Sequence, residues 1–183
     1  MLNENQKQQL QTIAKESIKH GLDTGEPVDI ELSMYDKDLQ NKRATFVTLH
    51  KHHQLRGCIG ILEPLRPLAE DIAYNAFAAA FSDSRFPAVT PDEVELLDIH
   101  ISILAMPEEM SFTSEDDLVS QLRPGIDGLI MQEGNQRGTF LPSVWESLTD
   151  KHDFLRHLKQ KSGLPANYWS DTIRVQRYTV EEF

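Results

Sequence analysis

Cysteine and long apolar stretches are almost absent from this chain of 183 residues. Cys58 is the only cysteine, so no disulfide can form within the chain, and we expect a reducing compartment. No apolar run approaches the roughly 20 residues of a membrane-spanning helix. The N-terminal stretch also lacks the apolar segment and cleavage pattern of a signal peptide. The sequence therefore predicts a cytoplasmic protein without a membrane partner.

Basic residues are scarce compared with acidic ones. The chain has 18 Lys and Arg against 29 Asp and Glu, which gives a formal net charge of −11. Proteins that bind nucleic acids derive much of their affinity from Lys and Arg contacts with phosphates, so this charge argues against a nucleic-acid partner. A chain of this length can bury about 70% of its unfolded surface, and its core needs no metal or disulfide.

The hydrophobic patterns predict an α+β protein. Helical spacing occurs at about 4–20, 64–81, 142–148 and 153–161, and strand-like alternation at 28–33, 44–49, 55–61, 97–104, 129–132, 136–140 and 172–178. Polar turns at 50–54 and 133–135 join two pairs of these strands into hairpins. We therefore expect a mainly antiparallel sheet with flanking helices, and no linker divides residues 1–183 into independent domains.

The segment around the single cysteine is the first candidate for chemistry. Residues 55–60 read LRGCIG, and Gly57 and Gly60 interrupt a strand-like run, as they do at bulges or where another backbone approaches closely. In an extended segment Arg56 and Cys58 point to the same side, and a nearby guanidinium favours the reactive thiolate. Alternatively, Cys58 is a small buried hydrophobic residue, as free cysteines often are.

Two further segments carry candidate ligand-binding residues. Asp83, Arg85 and Phe86 follow the second long helix and would suit the rim of a pocket, although such a loop is often simply solvated. Asp127 lies between two glycines, and Thr139 lies in the second hairpin. Backbone N–H groups in such glycine-rich turns can bind an anion. A plain turn explains residues 125–128 equally well, and no phosphate-loop motif follows.

Histidines give no clear metal site. His50, His52 and His53 could bind Zn or Ni, but an exposed hairpin tip is the simpler interpretation, and we predict no metal. His100 lies on the polar side of its strand as a possible base without further support. The sequence contains no nucleophile elbow, zinc-protease motif or dinucleotide fingerprint, and we predict no cofactor.

The order of these motifs resembles the AMMECR-type domain family, also called AmmeMemoRadiSam system protein A. The matching segments are 44–49, 55–60, Asp83 with 85–87, 99–104, Gly125 with 127–130, 138–145, 154–158, 163–169 and 178–183. The resemblance implies a single α+β domain with two sublobes and places the hexapeptide near a cleft. It implies no settled activity. Family members are often encoded beside a Memo-like protein and a radical SAM protein, which makes these two proteins candidate partners.

The chain departs from the family pattern at four positions. Ser84 and Ala88 replace expected prolines, and Ala44 replaces a common glycine. Lys159 stands where a second cysteine often occurs, which argues against a mechanism that needs two cysteines.

The sequence leaves two functional hypotheses open. In the first, a cleft around residues 55–60 binds an unknown small molecule or protein ligand, and Cys58 acts as a catalytic nucleophile. The predicted ligand-binding residues are Arg56, Gly57, Gly60, Asp83, Arg85, Phe86, Asp127 and Thr139. In the second, the same residues shape the surface of a non-catalytic scaffold or partner-binding protein.

Overall fold

The computed structural model describes residues 1–183, which form two compact units. Unit 1 comprises residues 1–104 and 181–183, and unit 2 comprises residues 105–180. Each unit has helices and a four-stranded antiparallel sheet, so the predicted α+β class is confirmed. None of the helices combines the length and the apolar character needed to cross a membrane.

The elements follow one another along the chain with short connections. In order they are α1 (Glu4–Thr24), α2 (Lys37–Gln40), β1 (Thr45–Lys51), β2 (Gln54–Gly60), α3 (Leu68–Phe81), β3 (Leu97–Leu104), β4 (Glu108–Glu109), α4 (Glu115–Gln121), β5 (Gly128–Glu133), β6 (Gln136–Phe140), α5 (Lys151–Lys161), β7 (Arg174–Tyr178) and β8 (Val180–Glu182). Short 3-10 helices occur at Leu32–Met34, Pro91–Leu96 and Pro142–Glu146.

The sheet of unit 1 has the strand order β2-β1-β3-β8, which leaves β2 at an edge. Alternate residues of β1 and β3 form one buried face, whose members Val47, Leu49, Ile101 and Ile103 join the same apolar cluster as residues of α1 and α3. The opposite face carries the other set of alternating side chains, and all of these except Leu104 are half-buried or exposed. Two helices therefore cover one face of this sheet, and the second face presents polar side chains.

Helix α3 lies unusually close to the β1–β2 hairpin. A Cβ atom at Gly57 would clash with the backbone carbonyl oxygen of Ala79, so only glycine permits this approach. Nearer the start of α3, the fully buried carboxyl of Asp71 accepts a hydrogen bond of 2.7 Å from Thr45 and one of 3.0 Å from Asn75. Burial raises the pKa of Asp71, and the hydrogen bonds from Thr45 and Arg66 oppose the rise. The helix is thus fastened to the hairpin at both of its ends.

Unit 2 has the strand order β4-β7-β5-β6 and its own apolar core. The ring of Trp145 stacks on that of Phe154 with 3.7 Å between their centroids. Lys159 is 1% exposed and donates a hydrogen bond of 2.6 Å to Glu115. The position where the family resemblance led us to expect a second cysteine therefore holds a buried lysine, which forms an ion pair between α5 and the partly exposed Glu115 of α4.

Several predicted boundaries were wrong for identifiable reasons. Helix α1 continues past Gly21, and its left-handed C-cap is Gly25 with φ 78°. Gly21 lies within the helix because its missing side chain leaves room for the rings of Phe77 and Phe81 on α3. The predicted strand at 28–33 does not form: its apolar residues pack against the core without a partner strand, and Leu32–Met34 form a 3-10 helix. Strand β1 extends to Lys51, so the hairpin turn contains only His52 and His53.

We predict that Gly57→Ala destabilises the protein by about 3 kcal/mol, because the added methyl group meets a backbone carbonyl that cannot rotate away. The comparison variant is Gly25→Ala, where a Cβ meets nothing within 4 Å and only the positive φ is unfavourable. That change should cost about 1 kcal/mol. Urea denaturation followed by circular dichroism measures both. Equal losses for the two variants would contradict the close approach of α3.

Candidate functional site

Cys58 lies in the middle of the edge strand β2, and its thiol is half-buried. The register pairs Cys58 with Thr48 on β1, which places both side chains on the sheet face that α1 and α3 do not cover. The Thr48 hydroxyl lies 3.2 Å from the Cys58 sulfur, within hydrogen-bond distance. The thiol is therefore held by one neutral group on a partly open surface, and it is not an ordinary core residue.

The backbone of Cys58 is held by two side chains from the loop after α3. The carboxylate of Asp83 accepts the Cys58 backbone N–H at 2.9 Å. The guanidinium of Arg85 donates to the Cys58 carbonyl at 3.3 Å and to both carboxylate oxygens of Asp83, at 2.9 and 2.7 Å. Asp83 and Arg85 thus bond the outward N–H and C=O of an edge strand, as a neighbouring strand would. We call this pair the edge clamp.

The edge clamp is electrostatically balanced. Asp83 is 6% exposed, and its hydrogen bond with Arg85 holds the pKa of this carboxyl well below its ordinary value. The same hydrogen bond raises the pKa of Arg85, and negative charge at Cys58 would raise it further. Arg85 therefore stays cationic beside Cys58, but most of its charge is already compensated by Asp83.

Arg56 serves a different purpose from the one its spacing predicted. Its guanidinium donates to both carboxylate oxygens of Glu93 at 3.1 and 2.9 Å and to the carbonyl of Pro87 at 2.9 Å. This contact, together with Lys51, lowers the pKa of Glu93 below its ordinary value. Arg56 ties the edge strand to residues 87–93, and the guanidinium that contacts Cys58 belongs to Arg85.

The remaining predicted residues of unit 1 have mainly structural contacts. A Cβ at Gly60 would clash with the Thr45 carbonyl oxygen and the Phe46 ring, so Gly60, like Gly57, leaves room for the protein itself. Phe86 is half-buried, and the Arg85 guanidinium lies 5.5 Å from the centroid of its ring. Phe86 is thus placed beside the edge clamp.

Asp127 and Thr139 belong to unit 2, where their hydrogen bonds are satisfied. The buried carboxylate of Asp127 accepts three hydrogen bonds from Arg123, at 2.9, 2.9 and 2.6 Å. The Thr139 hydroxyl donates to the carbonyl of Leu129 at 2.8 Å and lies 3.1 Å from the Tyr178 hydroxyl. Burial raises the pKa of Tyr178 to about 12, so this phenol is neutral at physiological pH. These contacts account for both residues without a ligand.

Sequence reasoning missed that two histidines share the sheet face of Cys58. Thr48 pairs with Cys58 on one side and with His100 on the other, and His50 lies two residues beyond Thr48 on β1. The rings of His50 and His100 meet edge to face with 5.1 Å between centroids. Strand alternation in the sequence would place Thr48 and His50 on one face of β1. The prediction assigned residues 50–54 to a turn, however, so His50 was not counted as part of the strand.

The structure contains no group of three or more His, Cys, Asp or Glu side chains arranged to hold a metal ion. His52 and His53 form the turn of the hairpin, where both adopt a left-handed conformation with φ 52° and 62°. The cluster of three histidines that the sequence offered is therefore divided between the sheet face and the turn.

Known proteins match this chain along most of its length. The AMMECR1 family model matches residues 11–183. An uncharacterised protein of Methanothermobacter thermautotrophicus is 40% identical over 146 residues, which cover 79% of this chain and 76% of that protein. A Thermotoga maritima protein is 37% identical over 161 residues, which cover 87% of each chain. The crystal structure of the uncharacterized protein PH0010 from Pyrococcus horikoshii matches with a TM-score of 0.82 and 32% identity, covering 94% of this chain and 88% of that one.

We predict that Asp83→Asn destabilises the protein by about 2 kcal/mol at pH 7, because a buried charge-assisted hydrogen bond is lost. Since the folded protein lowers the pKa of Asp83, this stabilisation is complete well above the ordinary value of 3.8 and disappears as the pH falls below it. The difference between wild type and variant should therefore shrink between pH 5 and roughly pH 2.

Urea denaturation at several pH values measures this difference. The control is Asp153→Asn, which removes an exposed ion pair with Arg156 and should change stability by less than about 0.5 kcal/mol. A gap between wild type and Asp83→Asn that stays constant down to the lowest pH would show that the edge clamp does not depend on the charge of Asp83.

Proposed function

This chain belongs to the AMMECR1 family, and we propose that it binds a small molecule on the sheet face around Cys58 and reacts with it through the thiol. The proposal is based on the hydrogen bonds that the backbone and the sulfur of Cys58 make. Its peptide N–H and C=O are both fixed by charged side chains, whereas its sulfur contacts only the Thr48 hydroxyl among the hydrogen-bonding groups. A fixed backbone in a half-buried residue of an edge strand suits a nucleophile.

The neighbouring residues support this function in distinct ways. Arg85 is more than half exposed, so it can contact a bound molecule while it holds Cys58. Phe86 adds an apolar surface beside it. Gly57 and Arg56 determine where β2 lies against α3 and the following loop. The proposal does not use Asp127 or Thr139, because contacts within unit 2 explain both.

A reducing cytoplasm is the proposed location, since there a single half-exposed thiol stays free for reaction. The Memo-like and radical SAM proteins that the family resemblance implies are the proposed neighbours in a shared pathway. In that pathway this protein would accept a group from a small molecule.

The decisive measurement is the reactivity of Cys58 in the native and the urea-unfolded protein at pH 7. We would use three neutral or weakly charged probes of different chemistry: iodoacetamide, a small thioester and a small disulfide. Intact-mass spectrometry gives the rate of each reaction, and Cys58→Ser provides the blank. We expect at least one probe to react about tenfold or more faster with the folded protein. Slower reaction of the folded protein with all three probes would end the proposal.

A scaffold function is the second candidate, and one observation favours it. Leu55 lies on the edge strand near the edge clamp and exposes 41% of its surface. Apolar side chains on a strand edge are typical of partner contacts. If this surface binds a Memo-like protein, Leu55→Glu should abolish their co-elution in size-exclusion chromatography. The control variant Met34→Glu, which changes another exposed apolar residue of unit 1, should not. Equal behaviour of the two variants would reject the scaffold.

A further inference from the structure

The sheet face around Cys58 carries two imidazoles that the proposed reaction has not yet used. In β1, Thr48 and His50 alternate onto this face, and their partners on β3 are His100 and Asp98. His50 follows Thr48, the partner of Cys58, by two residues on β1, and the β1–β2 ladder shifts register between Leu49 and His50, where Leu55 becomes the partner of His50. An irregularity of this kind bends the strand locally and re-aims the side chains beside it.

One nitrogen of His50 has no partner. Its Nδ1 atom is buried and makes no hydrogen bond, which is uncommon for a buried polar atom. No protein group therefore uses this nitrogen, and it can accept a proton. His100 packs edge to face against the His50 ring and restricts its orientation.

We propose that His50 accepts the proton of Cys58 when the thiol reacts, that Thr48 positions the sulfur and that His100 positions the His50 ring. This inference rests on the proposed function, because it names the base for the same nucleophile. In the probe reaction with iodoacetamide, the S–H bond of Cys58 breaks and its proton passes to His50. The sulfur then forms a bond to the methylene carbon, the carbon–iodine bond breaks, and iodide leaves. The imidazolium returns its proton to water.

The charged groups near Cys58, His50 and His100 come from five elements. They are Arg56 on β2, Asp83 and Arg85 in the loop after α3, Asp98 on β3, Glu182 on β8, and Lys15, Glu16 and Lys19 of α1, which line a cavity with Asp98 and His100. Asp83 and Arg85 neutralise each other, and Arg56 is paired with Glu93. Asp98 lies opposite His50 in the sheet register. An imidazole is also the side chain best suited to proton transfer near pH 7.

The test is the rate of iodoacetamide reaction with native Cys58 between pH 6 and pH 9.5. We expect His50→Gln to slow the reaction at pH 7 by about tenfold or more and to approach the wild-type rate at the highest pH, where hydroxide removes the proton. His100→Phe retains a ring against His50 and should be slowed less than His100→Ala. Thr48→Val keeps the shape of the side chain and should slow the reaction at every pH, because it misplaces the sulfur.

The matched control is His52→Asn, which removes a histidine from the adjacent turn and suits its left-handed conformation. It should react within about twofold of wild type, as expected for a residue outside the proton transfer. All variants should react equally when unfolded in urea, which removes any intrinsic difference. If His50→Gln folds poorly by circular dichroism, His50→Gly with added imidazole replaces it, and the imidazole should restore the rate.

An unchanged rate in His50→Gln, or an equal slowing at pH 7 and pH 9.5, would overturn the assignment of His50. Failure of imidazole to restore His50→Gly would do the same. The results that would reject His50 as the base differ from the result that would reject the proposed function. The proposed function fails when the wild-type thiol reacts no faster folded than unfolded, whereas the role of His50 fails when a fast wild-type reaction does not depend on this histidine.

Discussion

The arrangement around Cys58 depends on one buried carboxylate. Asp83 accepts the backbone N–H of Cys58 and simultaneously orders Arg85, whose guanidinium reaches the carbonyl of the same residue. The loop that carries both side chains begins where α3 ends, and α3 itself approaches β2 through Gly57. The position of the thiol is therefore determined jointly by the helix, the loop and the strand.

The edge clamp also solves a general problem of edge strands. An unpaired row of N–H and C=O groups can recruit another strand, and proteins usually protect it with charges or covering segments. Here charged side chains make the hydrogen bonds that a neighbouring strand would make at Cys58, and Arg56 attaches the loop further along β2. A partner that binds β2 by strand addition must therefore first displace the ion pair of Asp83 and Arg85.

Much of the fold could be predicted because alternation and helical spacing are local signals. The strands of both hairpins show alternation, and α1, α3 and α5 show helical spacing. Residues 28–33 also alternate, yet they have no partner strand: residues 28–31 pack on the core as irregular chain, and Leu32–Met34 form a 3-10 helix. The site was harder to predict because its contacts join distant residues. Arg56 and Cys58 looked like a functional pair at two-residue spacing, but Glu93 lies 37 positions from Arg56 and binds it. Sequence patterns extend over only a few residues, so they cannot identify a partner that lies this far along the chain.

The distribution of charge determines which groups remain available for chemistry. Each cation near Cys58 is already paired, Arg85 with Asp83 and Arg56 with Glu93, so neither presents a full positive charge to the thiol. Two paired arginines can fix a backbone rigidly, but they cannot exchange protons near neutral pH, because a guanidinium stays protonated. The imidazoles of His50 and His100 lie on the same sheet face as Cys58 and take part in neither of these ion pairs. The groups that fix the Cys58 backbone and the residues of the proposed proton transfer thus lie on opposite sides of Cys58, the former in the loop beyond the strand edge and the latter on the neighbouring strands of the sheet.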